Sequence, residues 1–458
     1  MAASSRAKSA LFIALSALFA APAWSMGFAE ALASARQNDA QYRAAGHELD
    51  AVRMNLPIAR SALLPTVTLS AQAQDVEGWR KSRNQQNQEM RLRLAYGAPS
   101  SALQLRLPLL NREASVRVDQ AEVRIAAGEA QYESRGLDLV ERLALAYFEV
   151  LLQQENLALS EQQVLTLVQQ LEQFRARLAR GEGTRVDVAR AESDLDLFRV
   201  RVIETRTALQ LAQRDLARIT GAPVTGLRRL AEPFVPPALV PDNLFAWLDL
   251  AVRNSPLIRQ VQGNLQIAAL DVKRNRAAHL PQVNLVGSLS HQQNESVSNL
   301  GTTTTQRSLG VQLSVPIYSG GGIDASVKQA LSEQAKAEED LRAQREVIEL
   351  EVQRQFQSVT DGAVRIRALE QAVQSADLAA TGANRALVAG LGTATEASEA
   401  LTRAFSARRD LAQARIQYLL SRAVLMIRAG QPLTEVASEV DRALVLAAAP
   451  RTEPAARP

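Results

Sequence analysis

One segment of this chain occurs twice, and the repetition restricts the folds that the chain can adopt. The first copy is Gly181-Glu-Gly-Thr-Arg-Val-Asp187 and the second is Gly390-Leu-Gly-Thr-Ala-Thr-Glu396. Each copy lies between two long stretches in which apolar residues recur three or four positions apart, the spacing of an amphipathic helix. A repeat this long, with its flanking patterns, predicts two structurally equivalent halves in one chain.

Each half also contains a pair of predicted β-strands ahead of its long helices. Apolar and polar residues alternate from Leu64-Pro65 in the first half and from Leu280-Pro281 in the second. Alternation of this kind is typical of strands. We predict β-hairpins at about 64–110 and 280–318, with polar loops at 75–99 and 291–306.

The order of elements in each half is helix, hairpin, long helix, kink and helix. Gly181 and Gly183 interrupt the helical pattern of the first half, and Gly390 and Gly392 interrupt that of the second. Glycine at such positions favours a turn between helices. The predicted boundaries are a signal peptide at 1–25, a first repeat at 26–222, a Pro-rich linker at 223–241, a second repeat at 242–432 and a disordered tail at 433–458.

The N-terminal segment predicts export from the cytoplasm. Residues 1–25 carry basic residues, then an apolar run, and end in Ala23-Trp24-Ser25, the order found in secretory signal peptides. The chain contains no Cys, which excludes disulfides, Cys-ligated metals and an acylated N-terminal Cys. Beyond the signal, no stretch reaches the ~18–20 apolar residues of a spanning helix. A chain of this kind crosses a membrane only as strands.

Composition and charge argue against nucleic-acid binding and catalysis. The formal net charge is +4 and aromatic residues make up only 4% of the chain. The arginines alternate with acidic residues along helical stretches, as on a solvated helix surface. His47, His279 and His291 are too scattered for a metal site, and no nucleophile and base pattern is visible. We therefore predict no enzymatic activity, no cofactor, no metal and no nucleic-acid partner.

The predicted strands are about ten residues long, the ~9–11 residues that cross a bilayer at a tilt. Four strands cannot close a membrane barrel, because the smallest closed ones have ~8 strands. The barrel would therefore be shared between chains, and counting alone permits a dimer or a trimer. The long helices would extend ~100 Å from the membrane at ~1.5 Å per residue.

With this order of elements, the chain resembles TolC-type outer-membrane efflux proteins over residues 28–432. The resemblance rests on the doubled Leu-Pro strand starts, the Val315-Pro316-Ile317-Tyr318-Ser-Gly320-Gly321 run, Leu411-Ala-Gln-Ala-Arg415 and the doubled glycine-to-carboxylate segments. It implies a mixed α and β membrane protein: a homotrimer with a shared twelve-stranded β-barrel in the outer membrane and an α-helical tunnel in the periplasm. The implied partners are outer-membrane lipid, a periplasmic adaptor (membrane fusion) protein and an inner-membrane ABC or proton-driven transporter.

The doubled segments are the candidate gate of such a tunnel. Glu396 and Glu399 are three residues apart and share a helix face, so a trimer would repeat them as rings of negative charge. The resemblance places these two acids at the periplasmic aperture, with Asp187 at the matching position of the first half. Leu387 and Gly392 stand where the family has an aromatic residue and an arginine, which leaves open what holds a closed gate. The alternative is that the acids only stabilise helix N-termini through the helix dipole.

The preferred function is the exit duct of a tripartite export system, in which a type I protein secretion system is favoured. Two alternatives stay open. One is the outer-membrane component of a small-molecule or drug efflux pump, and the other is an exported coiled-coil scaffold or adhesin.

Overall fold

The computed structural model describes residues 26–83, 85–224, 226–231, 233–296 and 299–445. The predicted signal peptide at 1–25 lies outside these residues. The first half contains α1 (Phe28–Asn38), α2 (Ala40–Arg53), α3 (Asn55–Ser61), β1 (Thr66–Gln72), β2 (Asp75–Arg83), β3 (Glu89–Gly97), β4 (Ser100–Leu110), α4 (Arg112–Ala179) and α5 (Arg185–Thr220). After β5 (Arg229–Leu230), the second half contains α6 (Leu244–Asn254), α7 (Pro256–Ala277), β6 (Gln282–Ser296), β7 (Asn299–Ser314), α8 (Gly322–Val388) and α9 (Ala394–Arg428), followed by α10 (Leu433–Arg442) and β8 (Leu444–Val445).

The two halves have the same order of elements. α4 has 68 residues and α8 has 67, and the helices that follow them, α5 and α9, have 36 and 35. By contacts the chain divides into two compact units, and each takes segments from both halves. One unit contains residues up to Gly46, Glu133–Pro256 and residues from Arg345, and the other contains His47–Tyr132 and Leu257–Gln344.

The helix at the start of each half is divided at a polar residue. The first helical segment, which starts at Phe28, divides at Asp39, whose Oδ1 accepts a hydrogen bond from Tyr42 N at 2.8 Å. An acceptor at this position satisfies a backbone N–H that the helix start leaves free. The second half divides at Ser255, and Pro256 then starts α7, where a missing N–H does no harm.

In the unit that includes Phe28 and Glu133–Pro256, a buried aromatic pair belongs to the core. Phe28 and Tyr147 are fully buried, with ring centroids 5.5 Å apart and rings nearly perpendicular. Tyr147 also donates from its hydroxyl to Met26 O at 3.0 Å. Such edge-to-face pairs combine apolar burial with a polar group that finds a partner.

The predicted disorder of the tail from 433 is wrong for residues 433–445, and the remainder lies outside the described residues. Val436, Ala437 and Val440 are buried, because their spacing forms one apolar stripe of α10. β8 pairs with β5, where Arg229 lies opposite Val445, so the predicted linker also contains a strand. Asp441 accepts hydrogen bonds from Phe28 N at 2.8 Å and Ala29 N at 3.1 Å, which caps α1 from the far end of the chain.

The other unit contains a four-stranded antiparallel sheet in the order β1-β4-β6-β7. The predicted loops at 75–99 and 291–306 are wrong as loops. β2 and β3 pair antiparallel within the first, and β6 and β7 continue through the second until Ser296 lies opposite Asn299. The polar composition misled the prediction, since paired strands exposed to water on both faces need no apolar alternation. Within the described residues, no helix is long and apolar enough to span a membrane.

Candidate functional site

The two glycine segments fold into matching turns that join α4 to α5 and α8 to α9. Gly181 and Gly390 have φ values of 78° and 77°, a left-handed conformation that favours glycine. Gly181 N donates to Leu178 O at 3.0 Å, and Gly390 N donates to Leu387 O at 3.1 Å. This arrangement is a common way to end a helix.

A capping box starts the helix after each turn. Gly183 and Gly392 each directly precede the capping threonine, Thr184 or Thr393. Asp187 N donates to Thr184 Oγ1 at 3.2 Å, and Asp187 Oδ2 accepts from Thr184 N at 3.0 Å. Both segments therefore use the same reciprocal pair of bonds to start a helix.

In the second segment, Glu396 makes the capping-box bonds that Asp187 makes in the first. Its N donates to Thr393 Oγ1 at 3.2 Å, and its Oε2 accepts from Thr393 N at 3.0 Å. Glu399 is exposed one turn later and pairs with Arg403, with Nη2 and Oε2 3.3 Å apart. Asp187 and Glu396 thus stabilise helix N-termini within one chain.

Apolar packing brings the two turns together. The buried residues of this cluster come from all four helices next to the turns: Leu167, Leu171, Phe174, Ala191, Leu195, Leu387, Ala394 and Ala397. Leu387 is 6% exposed and packs in this cluster. At Gly392 an added Cβ would lie 3.1 Å from Ala386 Cβ, so this position has little room for a side chain.

Three polar contacts between the halves accompany this cluster. Arg177 Nη1 donates to Leu387 O at 2.6 Å, and Ser398 Oγ donates to Asp194 Oδ2 at 2.7 Å. Arg190 Nη1 donates to Thr395 Oγ1. Sequence reasoning missed these three contacts, because helical periodicity carries no signal for them, although Arg190 departs from the repeat by standing where the second half has Glu399. Such departures from the repeat are the signal that could have been followed.

The sheet is the second candidate functional feature, because its two faces differ in chemistry and its edge strands are exposed. Leu69 lies opposite Leu103, and Leu285 lies opposite Val311, so apolar side chains share one face. On the other face Ser288 Oγ and Ser308 Oγ are 2.7 Å apart, and Arg106 Nε donates to Asn284 Oδ1 at 3.4 Å. A sheet with one apolar and one polar face suits a boundary between lipid and water.

The described residues include no group of three or more His, Asp or Glu side chains that could hold a metal ion.

Comparison with known proteins gives consistent matches over nearly the whole chain. The model of a family described as "Outer membrane efflux protein" matches residues 31–222 and 247–431. "Proteases secretion protein PrtF" of Dickeya chrysanthemi is 31% identical over 419 residues, which cover 90% of this chain and 90% of that protein. "Alkaline protease secretion protein AprF" of Pseudomonas aeruginosa is 29% identical over 441 residues, or 95% of this chain and 90% of that protein.

Solved structures share the fold. The outer membrane protein VceC of Vibrio cholerae superimposes with a TM-score of 0.74 at 18% identity, over 88% of this chain and 96% of that chain. At this identity the likeness concerns the fold alone.

Proposed function

Because this chain belongs to the outer membrane efflux protein family, we propose that it is the outer-membrane exit duct of a tripartite system that secretes proteins. The family match confirms the resemblance to TolC-type proteins that the sequence predicted. It also supports a location in the outer membrane with the long helices in the periplasm. The proposal assigns the chain no enzymatic step, since a duct only has to provide a path.

The observation that carries the proposal is the four-stranded sheet with one apolar and one polar face. Leu309, Val311 and Leu313 are 74%, 65% and 63% exposed in the single chain. Burying side chains of this kind stabilises by roughly 1.5–3 kcal/mol each, so their exposure to water would be costly. Lipid against the apolar face would remove this cost, and water against the other face would hydrate its polar side chains.

The edges of the sheet favour an assembly of several copies. β1 and β7 are its edge strands and present backbone groups that a neighbouring strand can pair. Three copies placed edge to edge would supply twelve strands in a closed sheet. We propose a homotrimer that works with a periplasmic adaptor and an inner-membrane transporter, because relatives such as PrtF and AprF are named as secretion proteins.

The cargo of the duct is proposed to be protein. Two relatives that match about nine tenths of this chain carry the words "protease secretion" or "proteases secretion" in their names. Small-molecule efflux is the alternative cargo class, since the family takes its name from efflux. A strain that lacks the chain separates the two alternatives. If the cargo is protein, a protein should disappear from the culture fluid of that strain. If the cargo is small molecules, the strain should only become more sensitive to toxic small molecules.

We place the gate of the duct at the two turns, with Asp187, Glu396 and Glu399 as its acidic groups. Glu396 and Glu399 are exposed, and a trimer would bring three copies of each together. Negative charges crowded into a narrow opening attract cations and repel anions. The capping role of Asp187 and Glu396 is compatible with this, because a helix N-terminus favours a negatively charged side chain.

Single-channel conductance of the purified protein in planar bilayers tests duct and gate together. The variant is Glu396→Gln/Glu399→Gln, because Gln can keep the capping box while the charge is removed. We expect cation-selective openings from the wild type and a loss of selectivity in the variant. Glu204→Gln, which removes an exposed acid elsewhere on α5, is the control and should leave selectivity unchanged.

The outcomes separate the claims. Identical selectivity in the wild type and the double variant would leave the duct standing and remove the acidic gate. A correctly assembled protein that conducts no ions, and that washes off membranes with carbonate, would be an exported scaffold instead.

A further inference from the structure

The β2–β3 hairpin continues the β1–β4 pair without a shift in register. Gln72 lies opposite Ser100, and Asp75 lies opposite Gly97, so each strand has two residues between the paired segments. Ala98 N donates to Gln74 O at 2.7 Å and bridges this gap. Because side chains alternate between faces, the odd-numbered residues of both segments belong to one face of a single ribbon.

The chemistry of that face changes along the ribbon. Near the helices it is apolar, with Val67 and Leu69 on β1 and Leu103 on β4. Asp75 and Glu77 follow. Beyond them Trp79 lies opposite Arg93, and Lys81 lies opposite Arg91. From the helices outward, the face therefore reads apolar, acidic and then aromatic with cations.

The outer part of this face is arranged for an anion. Two cations directly opposite each other on paired strands destabilise the pair. Arg83 has a partner, since its Nη2 lies 3.9 Å from Glu89 Oε1. Among the residues that the structure describes, Lys81, Arg91 and Arg93 have no carboxylate within 4.0 Å. Trp79 lies beside them and is 70% exposed. A large aromatic side chain in water contributes no burial free energy to the fold.

We propose that Trp79, Lys81, Arg91 and Arg93, here called the cationic face, bind the phosphate groups of an anionic glycolipid in the outer leaflet of the outer membrane. This rests on the proposed function, which places the apolar face of the sheet against lipid and, with the helices in the periplasm, the hairpin on the outer side. Tryptophan is enriched where a membrane meets water. Cations close to an anionic membrane surface bind its headgroups.

A lipid explains the cationic face better than an acidic polypeptide does. The face continues, on the same side of the ribbon, the apolar residues that the proposed function places against lipid. The hairpin's opposite side offers a comparison, because Arg80 lies there among Val76 and Ser82. A general preference for acidic chains would not distinguish the two sides.

Trp79 is a built-in reporter for this binding. The mature chain predicted to begin after residue 25 retains Trp79 and Trp247, and Trp247 is 1% exposed. Acrylamide therefore quenches Trp79 selectively, and a Trp79→Phe variant supplies the background. The full mature protein in neutral detergent is titrated with a glycolipid that carries two phosphate monoesters, and in parallel with the same lipid after dephosphorylation.

We expect the phosphorylated lipid alone to protect Trp79 from quenching. Each cation near an anionic surface contributes roughly a fivefold gain in affinity, so Lys81→Gln/Arg91→Gln/Arg93→Gln should weaken binding about 100-fold. Arg93→Gln should weaken it about fivefold, whereas its matched control Arg80→Gln on the other side should leave it unchanged.

Several results would overturn the proposal. Equal protection by both lipids, or an unaffected triple variant, would remove the phosphate contact. Inorganic phosphate that protects Trp79 as well as the lipid does would indicate a site for small anions. Protection by poly-glutamate but not by the lipid would indicate an acidic protein. Conductance measured on the same preparation separates the two proposals. A protein that conducts ions but does not bind the lipid would support the duct and contradict the lipid site. A protein that binds the lipid but does not conduct ions would contradict the duct.

Discussion

Arg177 in α4 and Leu387 in α8 are joined by a hydrogen bond in which Arg177 Nη1 donates to Leu387 O at 2.6 Å. The bond links the ends of the two longest helices, next to the glycine turns. Ala386 directly precedes Leu387 and occupies in the second half the place that Arg177 has before Leu178 in the first. The repeat therefore offers no second copy of the bond, and the halves hold together here by an asymmetric contact.

Removing this donor should loosen the contact between the turns. Arg177→Met keeps most of the side-chain length and apolar packing but loses the guanidinium. A hydrogen bond from a charged group contributes about 1.5–3 kcal/mol. Because we expect the contact between the turns to hold the proposed gate closed, its loss should raise the open probability in planar bilayers. Arg180→Met is the control, because Arg180 pairs with the nearby exposed Glu182. An unchanged open probability for Arg177→Met would show that the bond does not hold the closed state.

The left-handed turns should be sensitive to a side chain. Gly181→Ala and Gly390→Ala each place a Cβ where the φ values of 78° and 77° disfavour it, at a cost of about 1–2 kcal/mol. Thermal unfolding of the purified protein measures this loss. Gly382→Ala should instead stabilise by up to about 1 kcal/mol, since Gly382 lies inside α8 and an added Cβ meets nothing within 4 Å. A loss of stability at Gly382 as large as at Gly181 would contradict this.

The Asp39–Arg142 pair should make stability depend on acidic pH. Burial alone would raise the pKa of the Asp39 carboxyl, but hydrogen bonds from Arg142 and Tyr42 N lower it overall. Arg142 Nη1 and Nη2 both donate to this carboxylate, at 3.1 Å each. A lowered folded-state pKa contributes stability above the ordinary value of about 3.9, and this is lost as pH falls through the folded pKa.

Comparison of the wild type with Asp39→Asn at several pH values measures this contribution. We expect the variant to be less stable by about 2–3 kcal/mol at pH 6 and the difference to shrink below about pH 4. Asp50→Asn, at an exposed site on α2, should show no such change. A difference that stays constant down to pH 2 would rule out the charge of Asp39 as its cause.

The C-terminal segment should be required for stability. Deletion from Leu433 removes α10, β8 and the Asp441 cap of α1, whereas deletion from residue 446 keeps them. We expect the first deletion to lower the thermal midpoint and the second to leave it unchanged. Asp441→Ala alone should cost about 1–3 kcal/mol through the two freed N–H groups and Arg228, while Glu435→Ala on the exposed side of α10 should cost far less.

Much of the site could be predicted from its residues. Gly181 and Gly390 were expected to interrupt the helices, and both have the left-handed conformation that ends one. Thr184 and Thr393, three residues before Asp187 and Glu396, follow the capping-box pattern and could have been read as caps. The gate role of the acids stays a prediction, because it depends on neighbouring copies.

The sequence alone determined the order of elements, the long helices, the strand pairs and the family, because helical and strand periods repeat locally and need no distant partner. Only the tertiary structure decided that Arg177 meets Leu387, that α10 docks under α1, and that the polar segment after Gln72 continues a ribbon. These depend on which surfaces lie within reach of each other. An amphipathic segment such as α10 is ordered only where another surface can bury its apolar stripe, and no local pattern identifies that surface.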